Sequence, residues 1–164
     1  MQTEPMSILV IAAHPDDEVL GCGGTIARRV EEGHDVHIAI LGEGITSRYE
    51  DRGEANQELV NSLRSTSQEV GAFLGAEDVH LYNFPDNRFD TVPLLDVVKT
   101  IEELIDEIQP EIVFTQHGGD LNIDHNIVYR ATLTATRPMK DCPVRRVYAY
   151  EVASSTEWAF QEFS

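Results

Sequence analysis

The sequence predicts an α/β protein with a Rossmann-like, mostly parallel sheet flanked by helices on both faces. Three observations carry that prediction. Strand-like and helix-like segments alternate along the 164 residues, the pattern of right-handed βαβ units. The first strand is a continuous aliphatic run rather than an alternating one, as befits a strand buried on both faces. Two dense polar clusters, "HPDDE" and "GGDLNIDH", each follow directly on a strand, and α/β sheets bind ligands at the carboxyl ends of their strands.

The elements follow in order. Residues 7–14, "SILVIAAH", read as the first strand. A loop carries "PDDEVLGCGG", and residues 25–32 read as a helix stopped by Gly33. Residues 34–41 form a second strand. "GEGITSRYEDRG" is polar and glycine-containing, hence a loop. Residues 54–74 read as a long helix closed by Gly75, and 78–84 as a third strand. "PDNRFDTV" is a loop. Residues 93–109 form a strongly amphipathic helix that opens on Pro93, a residue suited to a first turn. Residues 111–117 are a fourth strand, 118–123 a loop, 124–137 a helix and 144–152 a fifth strand. No linker, internal repeat or low-complexity stretch divides the chain, so residues 1–164 read as one domain.

Composition narrows the function. Apolar residues make up 41% and charged residues 25%, an ordinary globular balance, but the net charge is −17. Nucleic acid and anionic membrane surfaces require clustered Lys and Arg, so neither is expected as a partner. No apolar run approaches the ~20 residues of a membrane span. The first residues, "MQTEPMS", lack the basic and apolar regions of a signal peptide, so a cytoplasmic location is expected. Cys22 and Cys142 are far apart and suggest no disulfide framework.

Three consecutive carboxylates after a buried strand repel one another and need a neutralising partner. His14 and Asp17 in the first cluster and His125 in the second offer two imidazoles and a carboxylate. That is the protein ligand set of a catalytic zinc site with one position left for water. Zn2+ in such a site lowers the pKa of its bound water and polarises a carbonyl oxygen. It would also offset the repulsion. Asp16 then stands beside the metal as a general base. A metal-bound His passes its other N–H to a carboxylate or carbonyl, and Asp124 or Asp120 is placed to accept it. Glu18 is expected to stabilise the start of the following helix.

"AHPDDE" after the first strand, with "DLNIDH" downstream, resembles the PIG-L/LmbE-like zinc-dependent de-N-acetylases over nearly the whole chain. The resemblance implies hydrolysis of an N-acetyl group from an N-acetylglucosamine-type sugar or glycoconjugate. It implies His14, Asp17 and His125 as zinc ligands and Asp16 as the base. "FPD" after the third strand matches a family segment whose Asp contacts substrate, here Asp86. An Arg near the long helix contacts substrate in some members, and Arg64 or Arg48 is the counterpart. Several members carry a His three positions before the final His. This chain has Asn122, which is expected to donate to the oxyanion, leaving proton delivery to Asp16, with His117 as another candidate helper. Family members usually continue further, so the chain is expected to be short at its C-terminal end. Trp158, Phe160 and Phe163 are expected to pack on a partner subunit in a homo-oligomer, since exposed aromatics are costly.

Simpler readings exist for each residue. An Asp before a helix is often only a cap, Asp86 suits a turn, and Arg64 suits a solvated helix face. His34, His37 and His80 lie at strand starts, away from the clusters, and read as structural. Cys22 reads as a packing residue. "GCGGT" with Glu43 suggests a nucleotide-binding Rossmann-like module, but Ile26 stands where the third glycine belongs and three carboxylates would face the pyrophosphate. A non-catalytic fragment with a binding or assembly role is the other alternative.

Overall fold

The computed structural model describes residues 4–153 and 155. Five strands, β1 (Ser7–Ala12), β2 (Asp35–Gly42), β3 (Asp78–Phe84), β4 (Ile112–Gln116) and β5 (Arg146–Tyr150), form one sheet. Their order is β3-β2-β1-β4-β5, and every pairing is parallel. Four helices connect them: α1 (Asp17–Glu31), α2 (Gln57–Leu74), α3 (Leu94–Ile108) and α4 (Ile123–Ala135). The chain winds outward from β1 to β3, returns, and winds outward again from β4 to β5. The reversal falls between β1 and β4, and a crevice opens at such a point.

Side-chain alternation along the central strands separates two cores. Leu9, Ile11, Ala39 and Leu41 face α3 and α4, where Val97, Ile101 and Val128 meet them. Ile8, Val10, Ile38 and Ile40 face the other way, with Cys22, Ile26 and Tyr150. β1 is therefore aliphatic throughout because both of its faces are covered. Among the described residues no helix is long and apolar enough to cross a membrane. Trp158, Phe160 and Phe163 lie outside the described residues.

Three elements differ from the sequence reading. α1 begins at Asp17, eight residues before the expected start, so the glycines of "GCGG" are helical. A Cβ on Gly21 would strike the ring of Tyr150, whose hydroxyl donates to the Ile11 carbonyl at 2.8 Å. The small residue buys close contact between α1 and β5, at the usual cost to helix propensity. α2 begins at Gln57 rather than 54, because the Asn56 side chain accepts from the backbone of Glu58 and Leu59. The loop after β3 holds a fully buried Phe89 in a 3-10 turn, in tilted ring contact with Phe84 and beside His14.

Candidate active site

Both polar clusters reach the crevice between β1 and β4. From β1 the chain turns into α1 through Asp16, which adopts φ +121°. A non-glycine residue held there costs on the order of 1–3 kcal/mol, and such strain gathers at functional sites. The turn is fixed locally: the Asp16 carbonyl accepts from Val19 and Leu20, and Glu18 Oε2 accepts from the Asp16 N–H at 3.0 Å. Glu18 thus holds the helix start, as expected. Asp16 occupies the N-cap position but makes no capping hydrogen bond with its side chain. The residue stays open to solvent.

His14, Asp17 and His125 converge, although 111 residues separate the two imidazoles. His14 Nδ1 lies 3.4 Å from Asp17 Oδ2, His125 Nε2 lies 3.1 Å from the same oxygen, and the two nitrogens are 3.3 Å apart. Ligands about 2.0–2.1 Å from a tetrahedral zinc are separated by about 3.3 Å, so the triangle has the right size. The outer nitrogens settle the tautomers. His14 Nε2 meets Asp124 Oδ2 at 2.8 Å, and His125 Nδ1 meets Asp120 Oδ2 at 2.8 Å. Each ring donates its N–H outward and turns a lone pair inward. Both candidate carboxylates are used, one per imidazole, in the arrangement that orients metal-binding histidines. A second grouping, His14 with Asp86 and Asp124, uses the outer Nε2 and reads as the clamp on that N–H.

The centre calls for positive charge. Burial would lower the His14 imidazole, but hydrogen bonds to Asp124 and Asp17 outweigh it and raise the group to about 10. His125 is raised as well: burial opposes, and Asp17 and Asp120 prevail. Asp17 is held well below the usual carboxylate range, since its hydrogen bonds to His125 and His14 overcome the effect of burial. Either protons or a cation satisfies such a cluster. Asp16 is raised by its partial burial and by the charge of Asp17, which suits a base that must later release its proton.

Other expected residues sit differently. Asn122 is the cap of α4: its Oδ1 accepts from the backbone of Asp124 and His125, and its Nδ2 donates to Asn87 Oδ1. Its donor is spent, so the expectation of an oxyanion donor is corrected to that of a cap. Arg64 directs its guanidinium to the carbonyls of Leu81 and Tyr82 and to Asn83 Oδ1. It buttresses the end of β3 and does not join the cluster. Asp86 is buried, anchors Ser47 through its N–H and hydroxyl, and lies 3.4 Å from His14 Nε2.

Sequence reasoning missed several participants. Gln116, at the end of β4, is fully buried and donates Nε2 to Asp17 Oδ2 at 2.7 Å. Its Oε1 has no partner among the described residues. Ser155 donates to Asp120 Oδ2 at 2.7 Å. Glu43 is consumed by Arg52, at 2.6 and 2.8 Å, and by Thr46. That pairing, with the glycines inside α1, removes the support for a nucleotide site.

The comparisons with known proteins agree with this geometry. Residues 9–136 match the family model described as PIG-L, GlcNAc-PI de-N-acetylase. The chain belongs to the PIG-L family. Membership makes it a hydrolytic N-deacetylase. Among PIG-L relatives, the chain is 30% identical to the uncharacterized deacetylase YaiS of Escherichia coli K12, over 90% of this chain and 75% of that one. It is also 30% identical to a 1D-myo-inositol 2-acetamido-2-deoxy-alpha-D-glucopyranoside deacetylase of Mycobacteroides abscessus, over 90% of this chain and 61% of that one. A conserved protein of Thermus thermophilus has a similar structure, with TM-score 0.73, 25% identity and coverage of 97% and 69%. So does a 4-carboxy-2-hydroxymuconate hydratase of Pseudomonas putida, with TM-score 0.67, 26% identity and coverage of 80% and 55%.

Proposed function

We propose that the protein removes an N-acetyl group from an N-acetylglucosamine-type amino sugar or glycoconjugate, using zinc held by His14, Asp17 and His125. The observation that carries this is the convergence of three lone-pair atoms, with both imidazoles oriented from behind by buried carboxylates. A zinc ion there supplies an acidified water and a polarised carbonyl. The protein's own part is orientation and proton transfer. Asp124 and Asp120 keep the inner nitrogens unprotonated. Asp16 takes a proton from the attacking water as its oxygen bonds to the acetyl carbon. Asp16 then gives that proton to the sugar nitrogen as the C–N bond breaks, leaving acetate and a free amine. Asp86, at the rim beside His14, is placed to receive sugar hydroxyls. The relatives' names support the substrate class, and two unpaired cysteines suit a cytoplasmic setting.

The test is elemental analysis of wild type and His125→Ala, followed by assay of acetate and amine release from N-acetylglucosaminides. About one zinc per chain, lost in the variant, is expected. Asp16→Asn should keep the metal and lose most turnover. Unchanged turnover in Asp16→Asn refutes the role of the base. Hydration of an unsaturated acid without acetate release would place the protein with the hydratase instead.

A further inference from the structure

One apolar feature of the site plays no part in the chemistry above. A groove of about 220 Å³ runs between α1 and α2, lined by Pro15, Val19, Leu20, Leu63, Thr66 and Val70 among others. Asp16 lies in its wall. The same Asp16 senses the charges of His14, His125 and Asp86, so the groove is continuous with the metal-ligand cluster. Leu20 is 57% exposed and Val19 39% exposed. Two exposed aliphatic side chains directly after a catalytic turn are costly unless an apolar group uses them.

We propose that this groove is a subsite for an apolar aglycone, so that the preferred substrates are N-acetylated amino sugars bearing an alkyl or aryl group. The inference rests on the deacetylase reading and adds a substrate class to it. An occupant of the groove touches Asp16 and is therefore within one sugar's reach of the reacting acetyl group. The volume is adequate, because a cavity of about 150 Å³ already holds a benzene ring. The wall is suited to hydrocarbon: its aliphatic side chains come from two helices, and the buried Glu18 turns its Oε2 to the Asp16 N–H rather than to an occupant. A sugar hydroxyl would gain little there, whereas a methylene transferred from water gains up to about fourfold in affinity.

The test is a series of methyl, propyl and hexyl N-acetylglucosaminides, assayed with the zinc-loaded protein. We expect kcat/KM for hexyl to exceed that for methyl at least tenfold, carried by KM. Leu20→Glu puts a charge on the exposed lip, and Thr66→Trp fills the groove from an exposed position. Each should bring the hexyl-to-methyl ratio close to one. Turnover of every glycoside with no dependence on chain length overturns the subsite and leaves the deacetylase reading standing. If no glycoside is turned over, the deacetylase reading fails, and binding measured by ligand-observed NMR decides the subsite separately. Affinity that rises with chain length and is lost in Leu20→Glu supports it, and equal affinities overturn it.

Discussion

Replacing Asp124 by Asn tests whether the carboxylate behind His14 sets up the metal centre. Asp124 is completely buried. Its Oδ2 accepts from Asn87 N at 2.6 Å and from His14 Nε2 at 2.8 Å, and its Oδ1 accepts from Phe89 N at 3.0 Å. Asn has one acceptor oxygen. Placed at the Oδ2 position, that oxygen keeps two of the bonds, but the amide then faces the Phe89 N–H. One buried donor loses its partner, which costs about 1–3 kcal/mol. For a chain of this size each kcal/mol lowers Tm by about 2–4 °C. The bond to His14 also loses its charge assistance. Loss of such an outer carboxylate weakens metal binding about 10–100-fold, or about 1.4–2.7 kcal/mol. The assay has two arms, a thermal melt in excess chelator and a zinc titration against a chromophoric competitor. The expected result is a melt lowered by several degrees together with a zinc Kd raised at least tenfold. A variant that melts lower yet binds zinc within twofold of wild type would refute the reasoning, because Asp124 would then support only the Phe89 turn.

Three further outcomes follow from the same geometry. His14 is raised from 6.5 to about 10 in the folded, metal-free protein, so folding retains a proton that the unfolded chain has lost above about 6.5. That stability is fully present below pH 6.5 and is lost as pH rises towards 10, so the metal-free protein should melt higher at pH 6.5 than at pH 9. An unchanged Tm would count against protonation of the cluster. Gln116→Leu removes the donor to Asp17 and also the partnerless Oε1; zinc affinity should fall several-fold while the metal-free melt stays within about 1 kcal/mol of wild type, since the desolvation penalty of the orphan is relieved. A large loss of stability without a change in affinity would contradict that assignment. Burial pushes the Cys22 thiol up to about 12, whereas Cys142 is partly exposed. A thiol reagent at pH 8 should label one cysteine quickly and the second only on unfolding, and rapid labelling of both would show that α1 opens readily.

Much of this was legible in the sequence because the signals were local. Each strand is a compact β-rich run, and the two polar clusters sit immediately after β1 and β4. The ligand triad could be read from residue chemistry alone. The choice between Asp124 and Asp120 could not, because it depends on which way each imidazole turns, and the structure assigns one to each. The start of α1 was misplaced because glycines lower helix propensity, and only the ring of Tyr150, far along the chain, explains their presence in the helix. Asn122 is the right residue type for two roles, and the three-dimensional position of Asn87 decides in favour of the cap. Gln116 and Phe89 carry no local signal: an amide at a strand end and an aromatic in a loop become informative only when their neighbours are known.

The winding reversal between β1 and β4 also bears on how the molecule comes apart. His14 and His125 belong to opposite halves of the sheet and stand 111 positions apart in the chain. An ion held by both would act as a removable cross-link across the seam where the halves meet. Closing a loop of that length with a covalent bridge is worth about 4.7 kcal/mol of chain entropy, and a coordinate clamp acts on the same quantity. Chelation would thus do more than empty a reaction centre. It would release the two halves to separate along β1 and β4, so the lifetime of the native state would become a gauge of the cell's available metal.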